Sequence, residues 1–164
     1  MTHDRRPLAI FDLDGTLADS AHRQHFLERA PRDWDAFFAA APDDPPLDEG
    51  VRLCLAAAEE CEVVYLTGRP DRCREDTVVW LAAQGLPTGA VHMRRNGDRR
   101  PARTTKLEVL TRLGRRREVR MLVDDDVLVC IAARRAGFRV VPVTWAPGAT
   151  GDAMRQAQGE QGRT

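Results

Sequence analysis

Short apolar runs recur along the chain, separated by segments of helical spacing, and this alternation limits the fold more than any other feature of the sequence. The runs occupy residues 7–12, 62–66, 90–93, 119–123 and 138–144. Helical patterns fill 20–30, 33–41, 47–61, 71–85, 104–113 and 127–136. Strands that are apolar almost throughout need cover on both faces, and strands joined through helices pair in parallel. The expected class is α/β, a doubly wound parallel five-stranded sheet. Ligands of such sheets sit beyond the carboxyl ends of the strands. Three polar clusters fall at those ends: Asp12-Leu13-Asp14-Gly15-Thr16, Thr67-Gly68-Arg69-Pro70 and Asp124-Asp125-Asp126.

The 164 residues suffice for one domain that buries its core without metal or disulfide staples. That domain is expected over 1–147, with two short helices in 20–46 as a small lid. Residues 148–164, poor in apolar side chains, are expected to form a flexible tail. No run approaches the roughly 18 apolar residues of a spanning helix. The first residues lack a secretory pattern, and Cys54, Cys61, Cys73 and Cys130 lack paired spacing. A cytoplasmic chain with reduced thiols and no membrane partner is the expectation.

Charge adds a constraint that the totals conceal. Lys plus Arg is 25 and Asp plus Glu is 25, and Lys106 is the single lysine. Residues 1–92 carry 9 basic and 17 acidic side chains, whereas residues 93–120 carry 11 basic and 3 acidic. A basic segment thus follows an acidic half and contains the lysine.

Asp12 and Asp14 sit two apart at a strand end, and two such carboxylates call for a cation or a shared proton. Asp124 and Asp125 at a second strand end make an oxygen-rich set suited to Mg²⁺. Thr67, Gly68 and Arg69 close a strand before a helix, a place where backbone N–H groups and a guanidinium favour an anion. Lys106, near the start of a helix, can bring a compact charge to the same anion. A carboxylate nucleophile, a second carboxylate for the proton, a divalent cation and donors for phosphoryl oxygens together make phosphoryl-transfer chemistry. A receiver domain is disfavoured because the acidic pair comes first and another comes last. A kinase is disfavoured because no GxxxxGK[ST] phosphate loop exists.

These residues resemble the haloacid dehalogenase superfamily of phosphohydrolases. FDLDGTLAD is similar to its first signature, LTGR to its second, Lys106 to its third and VDDD to its acidic fourth. The resemblance implies a Rossmann-like core, Asp12 as the nucleophile that forms an aspartyl-phosphate, and Asp14 as general acid/base. It further implies Thr67 and Lys106 on the phosphoryl group, and Asp12 and Asp14 with Asp124 or Asp125 at a Mg²⁺ site. Gaps of 54 residues between Asp12 and Thr67 and 38 between Thr67 and Lys106 leave no room for a large cap domain.

Residues 93–110 resemble the phosphatase domain of bacteriophage polynucleotide kinase-phosphatases, which removes 3′-phosphates from nucleic-acid ends. By that resemblance Arg23 and Arg69 lie close to the phosphate. The pattern departs at Ala102, where an acidic residue is usual; Asp98 is the candidate substitute. Arg94, Arg99, Arg100 and Arg103 are expected on the phosphate backbone of a substrate strand, in preference to a solvated surface. For Arg115, Arg116 and Arg117 the two readings weigh equally. Trp34, Phe37 and Phe38 read as lid core, with base stacking the lesser reading. The expected substrate is a phosphorylated nucleic-acid end, with any kinase or ligase on a separate polypeptide. Two alternatives stand: a phosphatase of free nucleotides or other small phosphate metabolites, and a catalytically idle nucleic-acid end-binding module.

Overall fold

Strand β1 (Leu8–Phe11) is buried along its whole length and lies at the middle of a five-stranded parallel sheet. On one side of it come β2 (Glu62–Pro70) and then β3 (Val91–Arg94); on the other come β4 (Val119–Asp124) and then β5 (Val140–Pro142). The computed structural model describes residues 5–146, so the expected tail at 148–164 lies outside the described residues.

Alternation along the strands builds two cores. Ala9, Phe11, Val63, Tyr65 and Val123 face α2 (Asp48–Glu60) and α3 (Arg74–Ala83), where they meet Cys54, Ala57, Trp80 and Leu81. Leu8, Ile10, Val64, Leu66 and Leu122 face α4 (Ala102–Gly114) and α5 (Val127–Arg135), where they meet Leu110, Val129 and Ala133. Both faces are covered, as apolar parallel strands require.

From β1 the chain winds outward to β2 and β3, then crosses back through α4 to β4 on the other flank of β1. The strand order reverses between β1 and β4, and the crevice there is the expected ligand site of an open α/β sheet. Register fixes what lies in it: Phe11 pairs with Val123, and the Asp12 N–H donates to the Val123 carbonyl at 2.9 Å. The next residues out are Asp12 and Asp124, side by side.

A small helical lid lies within residues 20–46, and among the described residues no large cap is present. A 3₁₀ turn (Ala21–Leu27), α1 (Trp34–Ala39) and a second 3₁₀ turn (Ala41–Asp43) enclose a core of Leu27, Trp34, Phe37 and Phe38. The three aromatic rings are buried against one another as the core of the lid. Residues 20–30, expected as a helix, contain instead the tighter turn, in which the Arg23 N–H donates to the Ser20 carbonyl; short 3₁₀ pieces of this kind suit connectors. Strand β2 runs four residues past the expected end at Leu66, because Pro70 pairs with Arg94 after a register shift.

Candidate active site

The turn after β1 is set by Gly15. Its φ of +81° is one that side-chain-bearing residues rarely adopt, and a Cβ there would lie 2.2 Å from Asp125 Oδ2. Only glycine lets the turn close while Asp125 comes this near. The turn itself is held by Leu17 and Ala18 N–H groups on the Leu13 carbonyl. Trp145 Nε1 donates to the Thr16 carbonyl at 2.9 Å, tying the chain after β5 to the same turn.

Three carboxylates converge beyond it. Asp12, Asp124 and Asp125 each offer an oxygen within 4.8 Å of the others. Lys106, on α4 and buried, donates to Asp12 Oδ1 and to Asp124 Oδ2, both at 2.8 Å. Thr16 Oγ1 donates to Asp12 Oδ2 at 3.2 Å. Burial, and then the charge of Asp12, push Asp124 up to about 7 against the pull of Lys106. Burial and the charges of Asp12 and Asp124 push Asp125 well above the carboxylate range. One ammonium does not neutralise three crowded carboxylates. An all-oxygen set with excess negative charge fits a hard divalent cation such as Mg²⁺.

Asp14 does not join that set. Its carboxylate accepts from Arg23 Nη2 at 2.5 Å and from Arg69 Nη2 at 2.6 Å and Nε at 3.1 Å. The side chain expected among the metal ligands is thus occupied by two guanidiniums. Behind them lies Asp44, which accepts from Arg23 Nε at 2.8 Å and Nη2 at 2.6 Å and from Arg69 Nη2 at 3.2 Å. Arg69 also donates to Thr77 Oγ1 at 3.3 Å, and the Arg23 guanidinium lies 4.2 Å from the centre of the Phe37 ring. His22 reaches Asp44 Oδ1 at 2.7 Å, and Trp80 Nε1 donates to the Asp44 carbonyl at 2.9 Å. Burial works to raise Asp14, but Arg23 and Arg69 outweigh it and hold the carboxyl well below the usual range. The two arginines therefore touch Asp14 directly, and their donors are largely spent there and on Asp44.

The remaining expected residues separate into those at the site and those that shape its rim. Thr67 is buried, accepts the Arg69 N–H on Oγ1 at 3.1 Å, and lines a cleft together with Lys106. The Gly68 carbonyl accepts from Arg94 Nε at 3.2 Å. Arg94 is buried and also donates to the carbonyls of Arg100 at 2.7 Å and Asp98 at 3.3 Å, so it folds the β3–α4 loop. Burial pulls its guanidinium down to about 10. Arg100 is held by the carboxylates of Asp98 and Glu108 at 2.9 and 2.6 Å. Asp98, the candidate substitute for the acidic residue absent at Ala102, is paired with Arg100 and lines the same cleft as Thr67 and Lys106. Arg99 is exposed. Arg117 pairs with Glu62 at 2.7 Å and bonds the Arg6 carbonyl, roles within the fold.

Sequence reasoning missed Asp44, in a proline-flanked stretch that reads as surface loop, and the Thr16 contact to Asp12. The only prior signal for Asp44 was an acidic pair set between prolines.

A sheet-end carboxylate cluster with one lysine, on a doubly wound fold without a large cap, defines a phosphohydrolase of the haloacid dehalogenase superfamily. More narrowly, the chain belongs to the family of the polynucleotide kinase PNKP phosphatase domain, which matches residues 7–146; it is a phosphatase. Among solved structures, a chain of the Pnkp1/Rnl/Hen1 RNA repair complex superposes with a TM-score of 0.69 at 24% identity, over 87% of this chain and 44% of that one. A haloacid dehalogenase-like hydrolase, SP0104 from Streptococcus pneumoniae, gives 0.62 at 14% identity, over 91% and 90%. Protein tyrosine kinase A from Mycobacterium tuberculosis gives 0.61 at 18% identity, over 95% and 99%. The chain spans less than half the length of the repair-complex chains it matches. No curated protein matches it. Among the described residues no helix is long and apolar enough to cross a membrane.

Proposed function

We propose that the protein is a Mg²⁺-dependent phosphomonoesterase that removes 3′-phosphates from polynucleotide ends through an aspartyl-phosphate on Asp12. The observation that carries this reading is the uncapped cluster of Asp12, Asp124, Asp125 and Lys106 in a chain of this family. Asp12, Asp124 and Asp125 would hold the cation, which when bound offsets the charge of the phosphoryl oxygens.

Asp12 Oδ attacks phosphorus; the bond to the 3′ oxygen breaks, and that oxygen leaves with a proton from Asp14. Water then attacks the aspartyl-phosphate, giving its proton to the Asp14 carboxylate and releasing phosphate and free Asp12. Lys106 and Thr67 meet the phosphoryl oxygens. Arg23 and Arg69 hold Asp14 in place for both transfers; their charges favour its carboxylate, the form the water step needs, and work against the acid form that the leaving-oxygen step needs. The kinase and ligase steps of end repair lie outside these residues, and the likeness to a chain of the Pnkp1/Rnl/Hen1 RNA repair complex supports a place beside such partners.

The test compares a 3′-phosphorylated oligonucleotide, its 5′-phosphorylated counterpart and free 3′- and 5′-nucleotides, each with Mg²⁺ and with a chelator. Mg²⁺-dependent preference for the oligonucleotide 3′ end is expected. Preference for free nucleotides or for 5′ ends, or activity unaffected by the chelator, overturns the reading.

A further inference from the structure

The cleft that opens at Thr67 and Lys106 has a volume of about 200 Å³. Leu66, Met93 and Val109 give it apolar surface, and Arg95 and Arg112 stand on its walls. The other arginines of the basic segment are committed or lie elsewhere. Arg94 is buried and folds the loop, and Arg100 faces two carboxylates. Arg99 and Arg103 do not line this cleft. Arg95 and Arg112 are exposed, and among the described residues no hydrogen bond or ion pair engages either guanidinium. An unneutralised guanidinium beside an apolar surface suits a phosphate oxygen pair, with the adjoining sugar laid on that surface.

We propose that Arg95 and Arg112 form a subsite for the phosphodiester next to the scissile 3′-phosphate, so that the enzyme reads a strand end rather than a mononucleotide. The proposal rests on the 3′-phosphatase reading above and replaces Arg99 and Arg100 as the grip on the strand. Recognition is of backbone charge, so it is independent of base sequence and sensitive to salt. Arg95 also lines a smaller cleft with Trp34, Phe38 and Arg72 at the lid, which places the outgoing strand between the lid and α4.

Kinetics on the full chain with three substrates test this: a nucleoside 3′-monophosphate, a dinucleotide 3′-phosphate, and that dinucleotide with an uncharged methylphosphonate linkage. Wild type should prefer the charged dinucleotide and lose the preference on the methylphosphonate. The double variant Arg95→Ala/Arg112→Ala should lose roughly tenfold in kcat/KM on the charged dinucleotide, mainly through KM. It should be unchanged on the monophosphate, and its dependence on log salt should be shallower by about one per arginine removed. Equal loss on mono- and dinucleotide, or no loss on either, overturns the subsite. Absence of turnover on every 3′-phosphorylated substrate in wild type instead overturns the 3′-phosphatase reading. In that event fluorescence anisotropy of a labelled oligonucleotide on the two chains decides the subsite: equal affinity overturns it, and weaker, less salt-sensitive binding by the double variant supports it.

Discussion

Around Asp14, two guanidiniums meet two carboxylates; around Asp12, three carboxylates meet one ammonium. Both groups lie at the same end of the sheet, buried except for the half-buried Asp125, and they differ in what they lack. The Arg23–Asp14–Arg69–Asp44 group is balanced within the protein, with the lid supplying Arg23 and Asp44. The Asp12–Asp124–Asp125–Lys106 group is left short of positive charge, a deficit that a divalent cation and a substrate are suited to meet. One cluster is finished by folding, the other by binding.

This contrast yields graded expectations. Asp12→Asn removes the attacking oxygen while keeping the shape, so phosphate release should fall by at least about a thousandfold with the fold intact by circular dichroism. Retained turnover would remove the covalent mechanism. Asp44→Asn leaves two buried guanidiniums facing one carboxylate, and breaking such a buried set costs about 3 kcal/mol, measured by urea unfolding. Loss of less than about 0.5 kcal/mol, the range of ordinary surface changes, would mean that the cluster is not balanced as described. The same cluster sets an acid limb. Asp14 is held below its ordinary value near 4, so its contribution to stability is fully present above about pH 4 and disappears as pH falls through the lowered folded value. Asp14→Asn should accordingly be less stable than wild type at pH 7 but show a shallower loss between pH 4 and pH 2. Gly15→Ala should cost about 1–2 kcal/mol through its positive φ. It should also weaken Mg²⁺ binding, because Asp125 must retreat from the new methyl group.

The unbalanced cluster was the legible one. Asp12 and Asp124 announce themselves because the chemistry asks for carboxylates directly at strand ends, which are marked by where apolar runs stop, and Lys106 announces itself as the single lysine, near the start of a helix. The balanced cluster was half hidden. Asp44 meets Arg23 across 21 residues and Arg69 across 25, a proximity created by the lid's return to the sheet and by no local pattern. Arginine roles were hidden for a related reason. Arg94, Arg95 and Arg100 look alike in sequence, yet the loop turns one inward to three carbonyls, leaves one bare and pairs one with Asp98 and Glu108. At β2 the end of the apolar run is not the end of the strand: Thr67-Gly68-Arg69 interrupts the run, but the backbone continues in the sheet. Trp34, Phe37 and Phe38 followed the simpler expectation and fill the lid.

The difference between the clusters is tested most directly by a Mg²⁺ titration of thermal stability at neutral pH. A ligand of the folded state raises stability in proportion to RT ln(1 + [L]/Kd). Mg²⁺ should raise the Tm of wild type and of Asp44→Asn by similar increments, from different starting points, and should leave Asp124→Asn unmoved. A wild-type Tm indifferent to Mg²⁺, or an increment that survives Asp124→Asn and vanishes in Asp44→Asn, would contradict the account.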